Sequence, residues 1–422
     1  MTRSRSPCKS GAIEIVVASC AVWSFTGASI FHGQREMGTL LSVLSMLCEV
    51  GAGLGCCYLV IAIFSVLHFA KRHDAHLSAH VPVSLLKPLH GDEPALFERL
   101  LANFEQRYEG AIQMVCGIRD HRDPAAAHVQ QIAESRGEAV DLVVSAREHG
   151  PNRKVSNLVN MLHCARNDVL IVSDSDIEVE PNYLAKVVAH LHRNNVGAVT
   201  CLYHGVPAPG LWSRHAALAI NSHFLPSMIV AITFDLAHPC CGSTIAIKRR
   251  ILQDIGGFER FAEHLADDYE IGRAVRGAGY EVAVPAFTVG HHCFSESLKA
   301  LLAQELRAAK TVKCIDPFGF AGAFITHPFP LALAGTLADG RDALALAAGA
   351  LCLRVLLCVA VELTFALPRQ PYALLPAREL LSFLVYFLSF FGARINWRGT
   401  EFAVASSGAL KPKAYCKAEA SK

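Results

Sequence analysis

Apolar residues near the start of the chain form a long run that predicts a membrane-spanning helix. Residues 40–70 contain one charged side chain, Glu49. The run is long enough to cross a hydrocarbon core about 30 Å thick. Lys71, Arg72 and His73 follow it directly. Because basic residues are enriched on the cytoplasmic side of a membrane, we expect the chain from residue 71 onward to enter the cytoplasm.

Three further apolar runs lie near the C-terminus. Residues 343–367 and 372–391 are predicted to form membrane helices, although each contains charged residues. Residues 318–337 are also apolar but contain one histidine and two prolines. Because proline interrupts a helix, this third segment either spans the membrane, re-enters it or lies at its interface.

The first 38 residues allow three interpretations. Residues 11–31 form either a second span, weakened by Glu14, or a signal-like extension without a clear cleavage site. In the third interpretation, translation starts at Met37. We expect an uncleaved N-terminal extension, followed by a membrane anchor at residues 39–72.

From residue 73 to residue 315 the pattern changes to alternating strands and helices. Short apolar runs predict strands, and apolar stripes with helical spacing predict helices. The strands are expected at residues 81–86, 111–117, 139–145 and 169–173, and the helices at residues 93–104, 154–164 and 298–311. This alternation indicates an α/β fold with a mostly parallel sheet flanked by helices.

The composition supports a membrane protein. Hydrophobic residues make up 52% of the 422 residues and charged residues 18%, and the mean hydropathy is +0.32. A net charge of +2 provides no basic surface for nucleic acid. The fifteen cysteines include no C-x-x-C pair, so we interpret them as reduced residues of a cytoplasm-facing protein.

Two carboxylates follow the strand predicted at residues 169–173. Asp174 and Asp176 are one residue apart, and the C-terminal edge of an open α/β sheet is where ligands bind. Their hard oxygen atoms suit Mg²⁺ or Mn²⁺, which can in turn hold a diphosphate. The alternative is a turn that simply ends the strand.

Two polar segments occur between the second and fourth predicted strands. Asp120 and Asp123 either hold the base or ribose of a nucleotide or cap a turn that ends at Pro124. Lys154 begins a predicted helix after a Gly-Pro turn. It either binds phosphate together with the N–H groups of that helix or is a solvated surface cation.

Two more candidates lie further along the chain. Asp267 and Asp268 precede a helical pattern, where acids either stabilise the helix dipole or supply a general base. Gln304 and Arg307 are three positions apart, so they share one face of the helix predicted at residues 298–311. That face either holds the diphosphate or the acceptor, or is an ordinary polar surface.

The order of these motifs, between membrane segments, resembles that of the GT-A glycosyltransferases. The resemblance is to the ceramide glucosyltransferase family and its bacterial branch associated with hopanoid biosynthesis, and it covers about residues 45–400. It implies a UDP-sugar donor, a lipid acceptor, and Mg²⁺ or Mn²⁺. The implied donor-binding residues are Asp120, Asp123, Lys154, Asn157, Asp174, Gln304 and Arg307, and the implied metal ligands are Asp174 and Asp176.

The same resemblance implies that Asp268 is the catalytic base of an inverting transfer. The sequence departs from the family motif Gln-x-x-Arg-Trp at Ala308, where a methyl group replaces a large flat ring. The loss of that ring is expected either to enlarge the acceptor slot or to weaken catalysis.

We therefore expect an inverting transferase that moves one glucose or N-acetylglucosamine from a UDP-sugar to a lipid such as ceramide or a hopanoid. A cytoplasmic catalytic domain at residues 73–315 would precede membrane helices at residues 316–395 and a cytoplasmic tail at residues 396–422. The expected location is a bacterial inner membrane. The alternatives are a processive polysaccharide synthase and a membrane protein that binds a nucleotide sugar with little turnover.

Overall fold

The computed structural model describes residues 11–69, 71, 81–336, 340–391, 394–397, 400–404 and 410–412. The helices in this part of the chain are α1 (Gly11–Phe69), α2 (Leu96–Ala102), α3 (Ala125–Arg136), α4 (Arg153–Leu162), α5 (Tyr183–Leu191), α6 (Leu211–Ala219), α7 (Leu225–Thr233), α8 (Arg249–Asp254), α9 (Asp267–Gly277), α10 (Leu298–Ile315), α11 (Pro317–Gly322), α12 (Pro328–Gly335), α13 (Gly340–Phe365) and α14 (Leu375–Ser389).

The strands are β1 (Val83–Pro88), β2 (Ile112–Ile118), β3 (Val140–Val144), β4 (Val169–Val172), β5 (Ile177–Glu178), β6 (Val196–Thr200), β7 (Leu202–Pro207), β8 (Ile245–Lys248), β9 (Glu281–Ala283), β10 (Thr288–Cys293), β11 (Arg394–Trp397), β12 (Thr400–Val404) and β13 (Leu410–Pro412). The four predicted strands are confirmed to within two residues at each end. The helices predicted at residues 93–104, 154–164 and 298–311 correspond to α2, α4 and α10.

Seven strands form the central sheet, in the order β3-β2-β1-β4-β8-β6-β9. Strands β3, β2, β1 and β4 are mutually parallel, as are β6 and β9, while β8 runs antiparallel to both β4 and β6. The α/β architecture predicted for the GT-A type, a mostly parallel sheet flanked by helices, is therefore confirmed, with β8 as the exception.

The chain changes direction across the sheet between β1 and β4. From β1 it moves outward through β2 and β3, and it then returns to place β4 on the other side of β1. The carboxyl ends of β1 and β4 therefore form the topological switch point, where open α/β sheets bind ligands.

Alternating side chains of the central strands bury both faces of the sheet. Leu85 and Ile171 point to the face that is covered by α3 and α5. Leu86 and Val172 point to the opposite face, which is covered by α4 and α9. Because successive residues of a strand face opposite sides, a strand between two helical layers favours apolar residues on both sides. This explains the continuous apolar run that ends at the D-x-D.

A smaller sheet, in the order β5-β10-β7, lies beyond the end of β4. Strand β5 begins directly after the D-x-D and pairs antiparallel with β10, so that Ile177 lies opposite His291. The backbone N–H of His292 donates to the carbonyl of Asp176 at 2.9 Å. This pairing brings β10 to the acidic motif.

Four helical segments in the described residues are long and apolar enough to span a membrane: Thr39–Phe69, Leu211–Thr233, Asp342–Phe365 and Tyr372–Ser389. Three of them match predicted spans. The segment predicted to span, re-enter or lie at the interface consists of two helical pieces, Pro317–Thr326 and Pro328–Gly335, bent by 63°. Helices α1, α7 and α13 bury one shared apolar cluster, which contains Leu59, Leu225 and Leu357.

The segment Leu211–Thr233 was not predicted as a helix of membrane length. Its residues Ile220–Phe224 form one π-helical turn between α6 and α7. Asn221 in this turn is fully buried, and its side chain accepts from Gly205 N at 2.7 Å and donates to Gly205 O at 3.0 Å. A tertiary partner in β7 therefore satisfies a polar residue that lowers the apparent hydropathy of the segment.

Candidate active site

The D-x-D motif lies at the switch point of the central sheet, where the sequence placed it. Asp174 and Asp176 follow the end of β4, and their side chains are 35% and 30% exposed. The Asp174 Oδ1 atom lies 2.6 Å from Lys154 Nζ. Lys154 and Asp174, which come from two separate sequence motifs and were both predicted to bind the donor, thus form one ion pair.

Gly242 is the point at which three charged side chains converge. A Cβ atom built on Gly242 would lie 3.0 Å from Lys154 Nζ, and 3.3 Å from both Asp174 Oδ2 and Asp268 Oδ2. A side chain at position 242 would crowd this space, which a glycine leaves open. The predicted phosphate-binding lysine, metal ligand and catalytic base therefore border one small space.

Asp268 lies in the first turn of α9 and is held by two backbone donors. Gly242 N donates to Asp268 Oδ2 at 2.9 Å, and Tyr269 N donates to Asp268 Oδ1 at 2.8 Å. Burial and the adjacent Asp267 carboxylate raise the pKa of Asp268 to about 6, although Lys154 and the two N–H groups oppose this shift. A carboxylate with a pKa near the working pH is suited to general-base catalysis.

Lys154 is placed by the capped start of α4. The Asn152 side chain accepts from Val155 N at 3.1 Å, which caps the helix. The same side chain donates to Asp267 Oδ1 at 3.0 Å. Burial opposes the charge on Lys154, but Asp174, Asp267 and Asp268 together outweigh burial and raise its pKa. Lys154 is therefore a permanent cation in this acidic space.

Asp176 faces a residue that the sequence reasoning did not identify. His291 Nδ1 lies 3.4 Å from Asp176 Oδ2, whereas Asp176 Oδ1 is buried and has no hydrogen-bond partner. An unpartnered buried carboxylate oxygen is costly unless a cation or a donor reaches it. The Asp174 and Asp176 oxygens therefore fit a hard divalent cation.

No group of three or more His, Cys, Asp or Glu side chains in the described ranges forms a complete metal site. Two carboxylates are nevertheless the usual protein contribution to Mg²⁺ when substrate phosphates supply other ligands. The residues present thus fit a cation that binds together with a diphosphate.

Two buried basic side chains donate hydrogen bonds to the loop that carries the D-x-D motif. Lys87, at the end of β1, donates to Ser173 Oγ at 3.0 Å and to Asp174 O at 3.3 Å. Arg99 of α2 donates to Ser175 O at 2.8 Å. Burial lowers the pKa of Lys87 to about 8, against the opposing effect of Asp174. These contacts fix the backbone that carries both carboxylates.

Asp123 and Asp120 lie after the end of β2. Asp123 Oδ1 accepts from Gly91 N at 2.9 Å and from Ala125 N at 3.0 Å, so it joins the β1–α2 loop to the start of α3. Asp120 is exposed, and its Oδ1 accepts from Arg122 N at 2.9 Å. Asn157 is buried in α4, and its Nδ2 donates to Gly117 O at 2.8 Å.

Gln304, Arg307 and Ala308 lie on α10. Gln304 and Ala308 are exposed, and Arg307 is partly buried. Leu301, one turn earlier, packs in a cluster with Cys293 at the end of β10. Helix α10 is thus attached to the strand that carries His291.

The sequence reasoning missed three residues of the site: Gly242, His291 and Lys87. Gly242 lies in a loop between two cysteines and a strand. A glycine there can allow another side chain to approach the backbone closely, but the sequence does not show which side chain that is. His291 lies within the apolar-flanked run Val-Gly-His-His-Cys. Lys87 interrupts an apolar strand, and this was the one local signal that a buried anion lies nearby.

Two solved structures resemble the chain only at low sequence identity. A mannosyltransferase from Pyrobaculum calidifontis, in complex with GDP-Man and Mn²⁺, is 19% identical with a TM-score of 0.48, covering 83% of this chain and 99% of that chain. GalNAc-T7 with UDP, GalNAc and Mn²⁺ is 15% identical with a TM-score of 0.38, covering 56% and 48%.

Curated relatives are ceramide glucosyltransferases. Ceramide glucosyltransferase 1 of Caenorhabditis elegans is 22% identical over 282 residues, covering 64% of this chain and 58% of the relative. Ceramide glucosyltransferase 3 of the same organism is 23% identical over 287 residues, covering 66% and 61%. The matches thus span about three fifths of the relatives' length. The family model described as glycosyl transferase family 21 matches residues 48–410, so the chain belongs to that family.

Proposed function

We propose that this protein is a membrane glycosyltransferase that moves one hexose from a UDP-sugar to the hydroxyl group of a lipid. The observation that carries the proposal is the convergence of Lys154, Asp174 and Asp268 on Gly242. A cation for the leaving group and a base for the acceptor are the two groups that such a transfer needs. Membership of family 21 and the four membrane-length helices support the same reaction.

The donor would lie along the carboxyl edge of β1 and β4. Lys154 is positioned to stabilise the negative charge that develops on the departing UDP. Asp120 and Asp123, at the end of β2, would contact the nucleoside, with Asn157 behind them in α4. Gln304 and Arg307 of α10 would hold the diphosphate from the other side.

Asp174 and Asp176 would hold Mg²⁺ or Mn²⁺, which supplies further positive charge to the diphosphate when it is bound. The free Oδ1 of Asp176 supports this assignment. His291 stands beside Asp176 and would orient that carboxylate.

Asp268 would remove the proton from the attacking lipid hydroxyl. The hydroxyl oxygen attacks the anomeric carbon on the face opposite UDP, the bond to the phosphate oxygen breaks, and the configuration inverts. One base is sufficient, because no covalent intermediate with the enzyme is needed. The pKa of Asp268, about 6, leaves it largely deprotonated at pH 7.

The acceptor is proposed to be a ceramide or a hopanoid that reaches the site from the bilayer. The ceramide glucosyltransferase relatives support the first, and the predicted branch of the family suggests the second. The basic residues Lys71 and Arg72 support a catalytic domain that faces the cytoplasm. The predicted bacterial branch of the family suggests an inner membrane.

Product analysis tests the proposed function. Purified protein in nanodiscs, supplied with ceramide, Mn²⁺ and either UDP-glucose or UDP-N-acetylglucosamine, is expected to release UDP and form a glycolipid with one sugar, detected by mass spectrometry. A ladder of longer glycans would identify a processive synthase instead. UDP-sugar binding without UDP release would identify a binding protein.

Activity is expected to depend on pH through Asp268. Its pKa of about 6 in the folded protein lies above the ordinary aspartate value of 3.8, and the base acts only when deprotonated. The kcat/KM should therefore rise with pH up to about 6 and level off above it. Lys154 stays protonated throughout, because its pKa is raised. The profile is measured by UDP release between pH 4.5 and 8.5.

Asp267→Asn provides the control for this profile. It removes the charge that raises the pKa of Asp268, while an amide oxygen can still accept from Asn152. The rising limb should move to lower pH with little change in the plateau. A limb that keeps its position in Asp267→Asn would assign the titration to another group.

A further inference from the structure

Helix α14, in the membrane-associated part of the chain, is joined to helix α10 by a buried ion pair. Arg378 Nη1 lies 2.7 Å from Glu305 Oε1, and Arg378 Nη2 donates to Glu305 Oε2 at 2.8 Å. The Arg378 side chain is fully buried, and that of Glu305 is 18% exposed. A two-pronged contact between guanidinium and carboxylate fixes orientation as well as distance.

The Arg378 side chain also holds two other parts of the structure. It donates to His215 O in α6 at 3.3 Å and to Ser382 Oγ one turn along α14 at 3.0 Å. Three helices therefore meet at one guanidinium group. Further along, Lys313 Nζ of α10 donates to Ser389 O at 2.5 Å, so α10 and α14 touch at two separated points.

Glu305 lies between the two residues of the Gln-x-x-Arg motif. Each residue of an α-helix is rotated by about 100° from the previous one, so Glu305 and Arg307 project to nearly opposite sides of α10. Leu301 and Glu305 are four positions apart and share a side. Leu301 shares one apolar cluster with Ala216 and Ala217 of α6, and Leu381 of α14 packs against this cluster. The ion pair thus anchors the side of α10 that meets α6 and α14, whereas Arg307 projects from the opposite side.

We propose that Arg378 is a positioning residue that sets the rotation and height of α10, and thereby the placement of Gln304 and Arg307 at the donor diphosphate. This inference rests on the proposed function, because it assumes that α10 borders the donor. Its physical basis is that a buried ion pair defines the distance and the orientation between two helices, whereas apolar contacts are not directional. A displacement of about 1 Å can reduce a rate by about 10²-fold.

A paired apolar substitution separates positioning from stability. Removing one partner alone would leave a buried charge and destabilise the fold, whereas replacing both by apolar residues of similar size is often neutral. In Arg378→Met combined with Glu305→Leu, the kcat/KM for UDP-glucose should fall about 10²-fold per folded molecule. The KM for ceramide should change little, and thermal unfolding should stay close to that of the wild type.

Arg354 and Glu379 provide a matched control pair. Their side chains are also buried, with Arg354 Nε 2.8 Å from Glu379 Oε1, and they join α13 to α14. Within the described residues their other polar contacts go to Ser222, His223 and Thr326, and none of these lies on α10. Arg354→Met combined with Glu379→Leu removes a comparable ion pair. It should leave the kcat/KM per folded molecule unchanged, whatever its effect on stability.

Arg378→Lys is the conservative variant, and it serves if the paired variant does not fold. A lysine keeps the charge but not the two-pronged geometry, so its kcat/KM should lie between those of the wild type and the paired variant. Wild-type kcat/KM for UDP-glucose in the folded paired variant, or in Arg378→Lys if only that folds, would overturn the inference and leave the proposed function intact. Absence of transfer by the wild type would overturn the proposed function and this inference with it.

Discussion

Asp268→Asn is expected to reduce kcat by about 10²–10⁴-fold, the usual contribution of a general base. The amide cannot take a proton from the lipid hydroxyl at neutral pH. UDP-sugar binding should persist, because Asp268 is proposed to act on the acceptor and not on the diphosphate. The comparison requires turnover from UDP release and donor affinity from calorimetry on the same preparations.

The hydrogen bonds of Asp268 show which control the Asp268→Asn variant needs. Both Asp268 oxygens accept backbone N–H bonds, so an amide places one donor against another and also strains the loop at Gly242. Asp267→Asn changes the neighbouring acid, whose Oδ1 accepts from Asn152 Nδ2 at 3.0 Å, a bond that an amide oxygen can keep. It should keep a plateau kcat close to that of the wild type. Full turnover by Asp268→Asn would show that another group is the base.

Asp176→Asn is expected to abolish divalent-cation binding and, with it, transfer. The substitution keeps the shape of the side chain but removes the charge that would face the cation. Loss of an outer partner of a metal ligand costs about 10–10²-fold in affinity, so loss of the ligand should cost at least as much. Mn²⁺ binding in the presence of UDP, followed by electron paramagnetic resonance, measures this without relying on activity.

Glu178→Gln is the matched control for Asp176→Asn. Glu178 lies two residues further on, is 55% exposed and pairs with His292 at 2.7 Å. It should therefore leave Mn²⁺ binding unchanged. Excess EDTA should stop transfer by the wild type. Transfer that continues in EDTA, with Mn²⁺ binding equal in Asp176→Asn and wild type, would remove the metal from the proposed mechanism.

Ala308 is the clearest departure of the chain from the motif of its family. The methyl group is exposed on α10, one turn after Gln304, so a larger side chain would have room there. The expectation that this position affects acceptor choice therefore stays a prediction.

Local sequence patterns predicted the parallel half of the scaffold, namely four of the seven strands of the central sheet. The strand around Ile171 is a continuous apolar run, and the strands around Leu85 and Val115 are mostly apolar, because helices cover both faces of the sheet. Since a strand can end only at an edge, Asp174 and Asp176 had to emerge at the edge of the sheet where ligands bind. Three of the four membrane-length helices in the described residues were predicted in the same way, because a bilayer requires long apolar runs.

Tertiary structure alone decided which groups meet. Gly242, His291 and Lys87 reach the acidic motif from distant strands and loops, and their local sequence does not encode that approach. The helix Leu211–Thr233 escaped prediction because partners elsewhere in the chain satisfy its buried polar residues.

The same distinction applies to the helix that carries Gln304 and Arg307. Its amphipathic pattern predicted a helix over residues 298–311, but periodicity does not specify which way a helix is rotated against its neighbours. The contact proposed to set that rotation joins Glu305 to Arg378, which lies 73 positions away along the chain. Local patterns in the sequence thus specify many of the elements and the chemistry that they carry. The fold decided their juxtaposition, because side-chain contacts across long separations depend on how whole elements pack.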